Sequence, residues 1–74
     1  MTGIIRKNID DLQNMGYEIE EIPELNEIRI ILRSNDNFGF ALYIDYYDLH
    51  SDYALVIIVK QFNRMITGKL VLEE

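Results

Sequence analysis

The residue types of a nucleophile, a histidine base and an orienting acid come together once in this 74-residue chain. The single histidine lies in His50-Ser51-Asp52, the three residue types of a hydrolytic relay. Three consecutive residues point in different directions on a helix or a strand and cannot line up the hydrogen bonds such a relay needs. The run reads instead as a turn and a helix cap. Asp45, Asp48, His50 and Asp52 offer oxygen and nitrogen donors suited to magnesium, manganese or zinc, but their spacing matches no metal-binding loop. Asn35-Asp36-Asn37-Phe38-Gly39 lacks the leading Asp and the distant bidentate Glu of an EF-hand. Cysteine is absent, which removes thiolate catalysis, disulfides and Cys-based zinc sites. No glycine-rich phosphate loop or nucleophile elbow occurs. This inventory predicts a protein that is not an enzyme, with no catalytic residues, metal site or cofactor.

Binding chemistry is better represented. Between Lys7 and Arg29 lie Asp10, Asp11, Glu18, Glu20, Glu21, Glu24 and Glu27 without one Lys or Arg, and between Arg33 and Lys60 lie Asp36, Asp45, Asp48 and Asp52, again unopposed. The second stretch interleaves its acids with aromatics, as Tyr43, Asp45, Tyr46, Tyr47, Asp48, Asp52 and Tyr53. Tyrosine joins a large apolar body to a polar tip and is enriched where proteins bind one another. Adjacent Tyr46 and Tyr47 cannot both face a core from one strand, so at least one is expected outside. Glu18, Glu20, Glu21, Asp36, Asp45, Tyr46, Tyr47 and Asp48 are therefore the candidate partner-binding residues. A formal net charge of -6 argues against direct contact with nucleic acid, whose affinity comes mainly from Lys and Arg, and favours basic partners.

The elements that must hold these residues follow from hydrophobic periodicity. Ile5, Ile9 and Leu12, with Met15 completing the stripe, predict an amphipathic helix over residues 4–15 that stops at Gly16. Arg6 and Lys7 can each reach an acid four residues on, Asp10 and Asp11. Tyr17-Glu18-Ile19-Glu20 alternates as a short strand, closed by Pro23, with Glu18 and Glu20 on one face. A second strand follows with Ile28, Ile30 and Leu32 inward. Ser34-Asn35-Asp36-Asn37 then predicts a hairpin turn, and the return strand carries Phe38, Phe40, Leu42 and Ile44 on its apolar face. Residues 51–68 are ambiguous, because Val56-Ile57-Ile58-Val59 favours a strand while Leu55, Ile58, Val59 and Phe62 keep helical spacing. A helix fits better, capped by Ser51 and stopped by a left-handed Gly68, and residues 69–72 are expected to add a short edge strand. The fold expected is a single acidic α+β domain over residues 1–74: helix, three-stranded antiparallel sheet, helix, with both helices on the sheet's apolar face.

Ile9-Asp10-Asp11-Leu12, Gly16-Tyr17-Glu18-Ile19 and the run from Ile28 to Asn37 resemble small acidic phage-encoded anti-CRISPR proteins, inhibitors of Cas9 that mimic DNA. That resemblance covers about the first two thirds of the chain. It implies a helix, three strands and a helical C-terminal part, and acids occupying the site where arginines read the DNA tag beside the target; Glu18, Glu20, Glu21, Asp36 and Asp45 are the analogous positions. The chain departs from those inhibitors over residues 55–66, which are strongly apolar and bear Lys60 and Arg64. The expectation is a phage or mobile-element inhibitor that occupies a basic nucleic-acid-binding groove of a host enzyme, a Cas nuclease being the candidate the resemblance implies. Carboxylates two apart on a strand, about 6.6 to 6.8 Å, would address successive sites in such a groove. The alternative is a structural or regulatory protein that self-associates as a homodimer through its C-terminal apolar segment or a sheet edge. No apolar run approaches the length of a membrane span, and no signal peptide precedes the first helix, so a cytoplasmic address without membrane contact is expected.

Overall fold

The computed structural model describes residues 3–33 and 39–72, with side chains through residue 68. The chain forms a helix α1 (Gly3–Asn14), strands β1 (Glu18–Ile22), β2 (Glu27–Arg33) and β3 (Gly39–Asp45), and a second helix α2 (Ala54–Leu72). Short 3₁₀ turns at Pro23–Leu25 and Tyr46–Leu49 link β1 to β2 and β3 to α2. The sheet is antiparallel in the order β1-β2-β3, an α+β architecture as the alternation predicts.

α1 ends because Gly16 takes a left-handed backbone, φ 100°, that an L side chain resists. The Tyr17 amide then donates to the Leu12 carbonyl and the Gly16 amide to that of Gln13, the double closure of a Schellman motif. The turn swings Tyr17 back onto the core, its ring 5.0 Å from that of Phe62. Met15 falls past the helix end and is half exposed rather than completing the buried stripe. Lys7 pairs with Asp11 at 3.1 Å as its spacing predicts, whereas Arg6 reaches across to Glu21 of β1 at 3.2 Å.

Both helices cover one face of the sheet. Ile5, Ile9 and Leu12 of α1 meet Ile28 and Ile30 of β2 and Ala54, Ile58 and Phe62 of α2, with Leu49 of the second 3₁₀ turn plugged between them. Phe40, Leu42 and Ile44 of β3 face the same core but are only half buried. Ile31 lies on the opposite face, between Glu18 and Ala41, and is nonetheless buried.

The expected helix forms from Ala54 onward, because packing against the core through Ala54, Ile58, Phe62 and Met65 overrides the β-branched run. Three details differ from expectation. Ser51 does not cap α2: its hydroxyl accepts from the Tyr53 amide at 3.1 Å, closing a turn ahead of the helix. Gly68 is not a stop, because only Gly16 and Asn26 have positive φ among the described residues. The edge strand expected over residues 69–72 is absent, as α2 runs on to Leu72. One glycine costs a helix about 1 kcal/mol, and no proline follows to enforce a break. The predicted turn over residues 34–37, with Phe38, lies outside the described residues.

Asn8 is the one buried polar side chain among the described residues, and its amide donates to the carbonyls of Leu49 at 2.8 Å and Ser51 at 3.2 Å. Replacing it by alanine takes the donor from the buried Leu49 carbonyl, while the Ser51 carbonyl keeps the Ala54 amide at 3.1 Å, and should lower stability by about 1 to 3 kcal/mol, read as a lower urea midpoint with an unchanged slope. Asp10→Ala, on the exposed side of the same helix, should shift the midpoint little. Equal midpoints for Asn8→Ala and Asp10→Ala would show that this contact is not formed.

Candidate partner-binding surface

The register of the sheet decides which acids share a surface. On the face turned away from the helices, Glu18, Ile31 and Ala41 form one row, Glu20, Arg29 and Tyr43 the next, and Ile22, Glu27 and Asp45 the third. Glu18 and Glu20 thus share a face, as their spacing predicts. Arginines on β2 answer both: Arg33 Nε donates to Glu18 Oε2 at 2.9 Å and Arg29 Nη1 to Glu20 Oε2 at 3.5 Å. The Arg29 guanidinium also lies over the Tyr43 ring, 5.8 Å from its centre. Exposed pairs of this kind add little stability, but they cancel the field of the two glutamates.

Glu21 pairs with Ile28 and so belongs to the helix-facing side of the sheet. Its Oε1 accepts from Arg6 Nη2 at 3.2 Å and from the Tyr46 hydroxyl at 3.1 Å. Tyr46 packs its ring against the core and is half buried. Desolvation first, and then the hydrogen bond to Glu21 and its negative charge, push the Tyr46 phenol above its ordinary value of 10.0. Glu21 and Tyr46 therefore tie β1, α1 and the second 3₁₀ turn together.

The third row is electrostatically different. Glu27 and Asp45 stand directly opposite each other on adjacent strands, and among the described residues neither forms an ion pair. Like charges so placed are destabilising. Asp48 joins them through a reciprocal cap: its amide donates to Asp45 Oδ1 at 3.1 Å, and the Asp45 amide donates to Asp48 Oδ2 at 3.2 Å. Each carboxylate keeps lone pairs directed outward while its backbone contact fixes its position. Beside them Tyr47 is 76% exposed and stacks on His50, with ring centres 5.7 Å apart. Tyr53 is 73% exposed.

The sequence-predicted set is therefore divided. Asp45, Tyr47 and Asp48 come together at one end of the sheet, Glu18 and Glu20 are neutralised on β1, and Glu21 and Tyr46 bond each other near α1. Asp36 lies outside the described residues. Glu27 belongs with Asp45 and Asp48 only through the β2–β3 register, which composition does not reveal. A cleft of about 230 Å³ opens between β3 and α2, lined by Leu42, Ile44, Ala54, Ile57 and Asp48 among others. On the far flank of α2, Leu55, Val56, Val59 and Met15 form an apolar depression. No three of His, Asp and Glu converge as a metal-binding group among the described residues, and none of their helices is long and apolar enough to cross a membrane.

The Tyr46 contact has a pH signature. Folding favours the neutral phenol, so its folded pKa exceeds the unfolded one; the contribution is complete below pH 10 and is lost as pH rises through the folded value. Between about pH 9 and about pH 12 the wild-type chain should lose more stability than Tyr46→Phe, measured by urea unfolding. Equal losses would mean that the hydroxyl does not donate to Glu21.

Compared with protein-family models, curated proteins and solved structures, the chain matches none, so the reading of this surface rests on its own charges, aromatics and backbone.

Proposed function

We propose that this chain is a non-enzymatic binding protein that docks the acidic end of its sheet on a basic, nucleic-acid-binding surface of another protein and competes with nucleic acid for it. The observation that carries this reading is the group of Glu27, Asp45 and Asp48, three carboxylates held on a fixed frame without an ion pair among the described residues, beside the exposed Tyr47 ring. A protein that keeps two like charges face to face gives up stability that a cationic partner would restore. The net charge of -6 would speed the encounter, and Tyr47 and Tyr53 supply contact area once the charges have met. The pairing of Glu18 with Arg33 and of Glu20 with Arg29 removes the β1 acids from this set, so the mimicry is concentrated at one end of the sheet instead of running along β1. An arginine-lined groove of a host nuclease, as in the anti-CRISPR inhibitors that parts of the sequence resemble, is the target class this reading favours.

Recovery of partners by the immobilised chain from a host lysate tests this. A nucleic-acid-binding protein should be retained at about 0.05 M salt and released by about 0.5 M, where exposed charges are screened over a few ångströms. Duplex DNA should displace it. Asp45→Asn with Asp48→Asn keeps the capping oxygens while removing the charge, and should weaken retention more than Glu18→Gln with Glu20→Gln. Retention indifferent to salt, to DNA and to the Asp45 and Asp48 changes would refute the reading.

A further inference from the structure

The two edges of the sheet are built differently. β1 is five residues long, carries Glu18, Glu20 and Glu21, and ends at Pro23. Charges, short length and a following proline are the means by which edge strands are kept from pairing with other chains. β3 has none of them: Gly39-Phe40-Ala41-Leu42-Tyr43-Ile44 is uncharged, and the first charge is Asp45 at its end.

The hydrogen bonding of β3 shows which of its groups face outward. The Tyr46 amide donates to the Asn26 carbonyl at 3.2 Å, one step beyond the Glu27–Asp45 pair. In an antiparallel ladder, residues that exchange bonds alternate with residues that do not. Phe40, Leu42 and Ile44 therefore bond β2, while the amides and carbonyls of Ala41 and Tyr43 point away from it. The Asp45 amide, outward by the same alternation, is already bound to the Asp48 carboxylate. Ala41 and Tyr43 thus present a free backbone edge in the middle of an unguarded strand.

We propose that this edge is a homodimer interface, with β3 of a second copy adding antiparallel to β3 to make a continuous six-stranded sheet. The strand is complementary to itself about a two-fold axis at Leu42. In that register Ala41 faces Tyr43 of the second copy and each such facing exchanges a pair of N–H···O bonds, the bonding demanded by the outward groups. Phe40 faces Ile44, and Leu42 faces Leu42, on the apolar side. These are the core side chains that the monomer leaves half buried, in contrast to the buried Ile28 and Ile30 of the central strand. Asp45 faces Gly39, so the two Asp45 carboxylates stand about 20 Å apart, six residues along the strands, and like charges are not opposed. The clefts between β3 and α2, with the half-exposed Ile57 in each, come to lie next to the two-fold axis. This assembly does not depend on the partner reading above: it leaves the two acidic ends at opposite ends of the β3 pair. The salt dependences of the two are also opposite. Association of two chains of charge -6 tightens as salt screens their repulsion, whereas docking on a basic partner weakens.

Sedimentation equilibrium and residue-resolved amide exchange of the full chain, from low micromolar to near-millimolar concentration, test the proposal. The expected result is a dimer in which exchange at the Ala41 and Tyr43 amides slows as concentration rises, while the Ile19 and Glu21 amides on the β1 edge are unchanged. Ala41→Pro removes an outward donor at a site where an edge strand accepts proline, and should raise the dissociation constant by about tenfold or more. Ala41→Lys with Tyr43→Lys keeps the backbone intact, sets lysines opposite one another across the interface, and should give a folded monomer by circular dichroism and sedimentation. A chain that stays monomeric at near-millimolar concentration overturns the proposal. So does a dimer that Val56→Lys on the far flank of α2 dissolves while Ala41→Pro does not.

Discussion

A single buried amide holds this small molecule in register. Asn8 sits on the apolar stripe of α1 between Ile5 and Leu12, and both of its donated hydrogen bonds go to backbone carbonyls in the segment between β3 and α2. That segment contains no long run of apolar residues, and its one fully buried side chain is Leu49. With few apolar contacts to fix it, its place is set by polar bonds: Asn8 to Leu49 and Ser51 from inside, and Tyr46 to Glu21 from the edge. A buried donor has no alternative partner, so a different path of the chain would leave both Asn8 and the Leu49 carbonyl unsatisfied. The acidic end of the sheet and the start of α2 inherit their positions from this contact.

Charge in the folded chain is distributed in two ways with different consequences. Four cations, Arg6, Lys7, Arg29 and Arg33, each meet an acid, and these pairs occupy α1, β1 and the two upper rows of the outer sheet face. Such exposed pairs are worth tenths of a kcal/mol, so their effect is local neutralisation more than stability. Among the described residues Glu27, Asp45 and Asp48 remain without a cation, in a place where the backbone itself fixes two of the carboxylates. Net charge alone does not distinguish these cases. A chain with the same composition and a different register would present its unopposed acids elsewhere.

Size sets the other constraint. A chain of 74 residues has room for one core, and that core is centred on α1, β2 and the first half of α2. The flanks are incompletely covered as a result: β3 keeps its inward side chains half buried, and α2 is apolar on more than the face it packs. The molecule extends 43 Å along its longest axis against 24 and 21 Å across, with α2 the longest element. Exposed apolar area on two sides of one helix and a bare strand edge make association with another chain the physical expectation for this fold.

Local rules carried much of this architecture. The 3.6-residue stripe of α1, the left-handed Gly16 after it, the two-residue alternation in β2 and β3, and Pro23 after β1 each follow from nearest-neighbour sterics and hydrophobic burial, which act within a few residues and are legible from spacing. Where two local rules competed, tertiary packing decided: residues 56–59 have strand-forming side chains, yet the need to cover the sheet's apolar face made them helix, and the same helix ran through Gly68 over residues expected to form a strand. Arg6 had two acids within reach, Asp10 on its own helix and Glu21 on β1, and the Glu21 contact required the docked sheet. Separating Glu18 and Glu20 from Glu27 and Asp45 needed the register of three strands, a relation between residues up to 27 apart in Glu18 and Asp45 that no spacing rule encodes. Fold class was thus determined by short-range chemistry along the chain. Which carboxylates stay unanswered, and which strand edge stays open, were decided only when distant segments were brought together, because charge and hydrogen-bond complementarity act through space and not along the sequence.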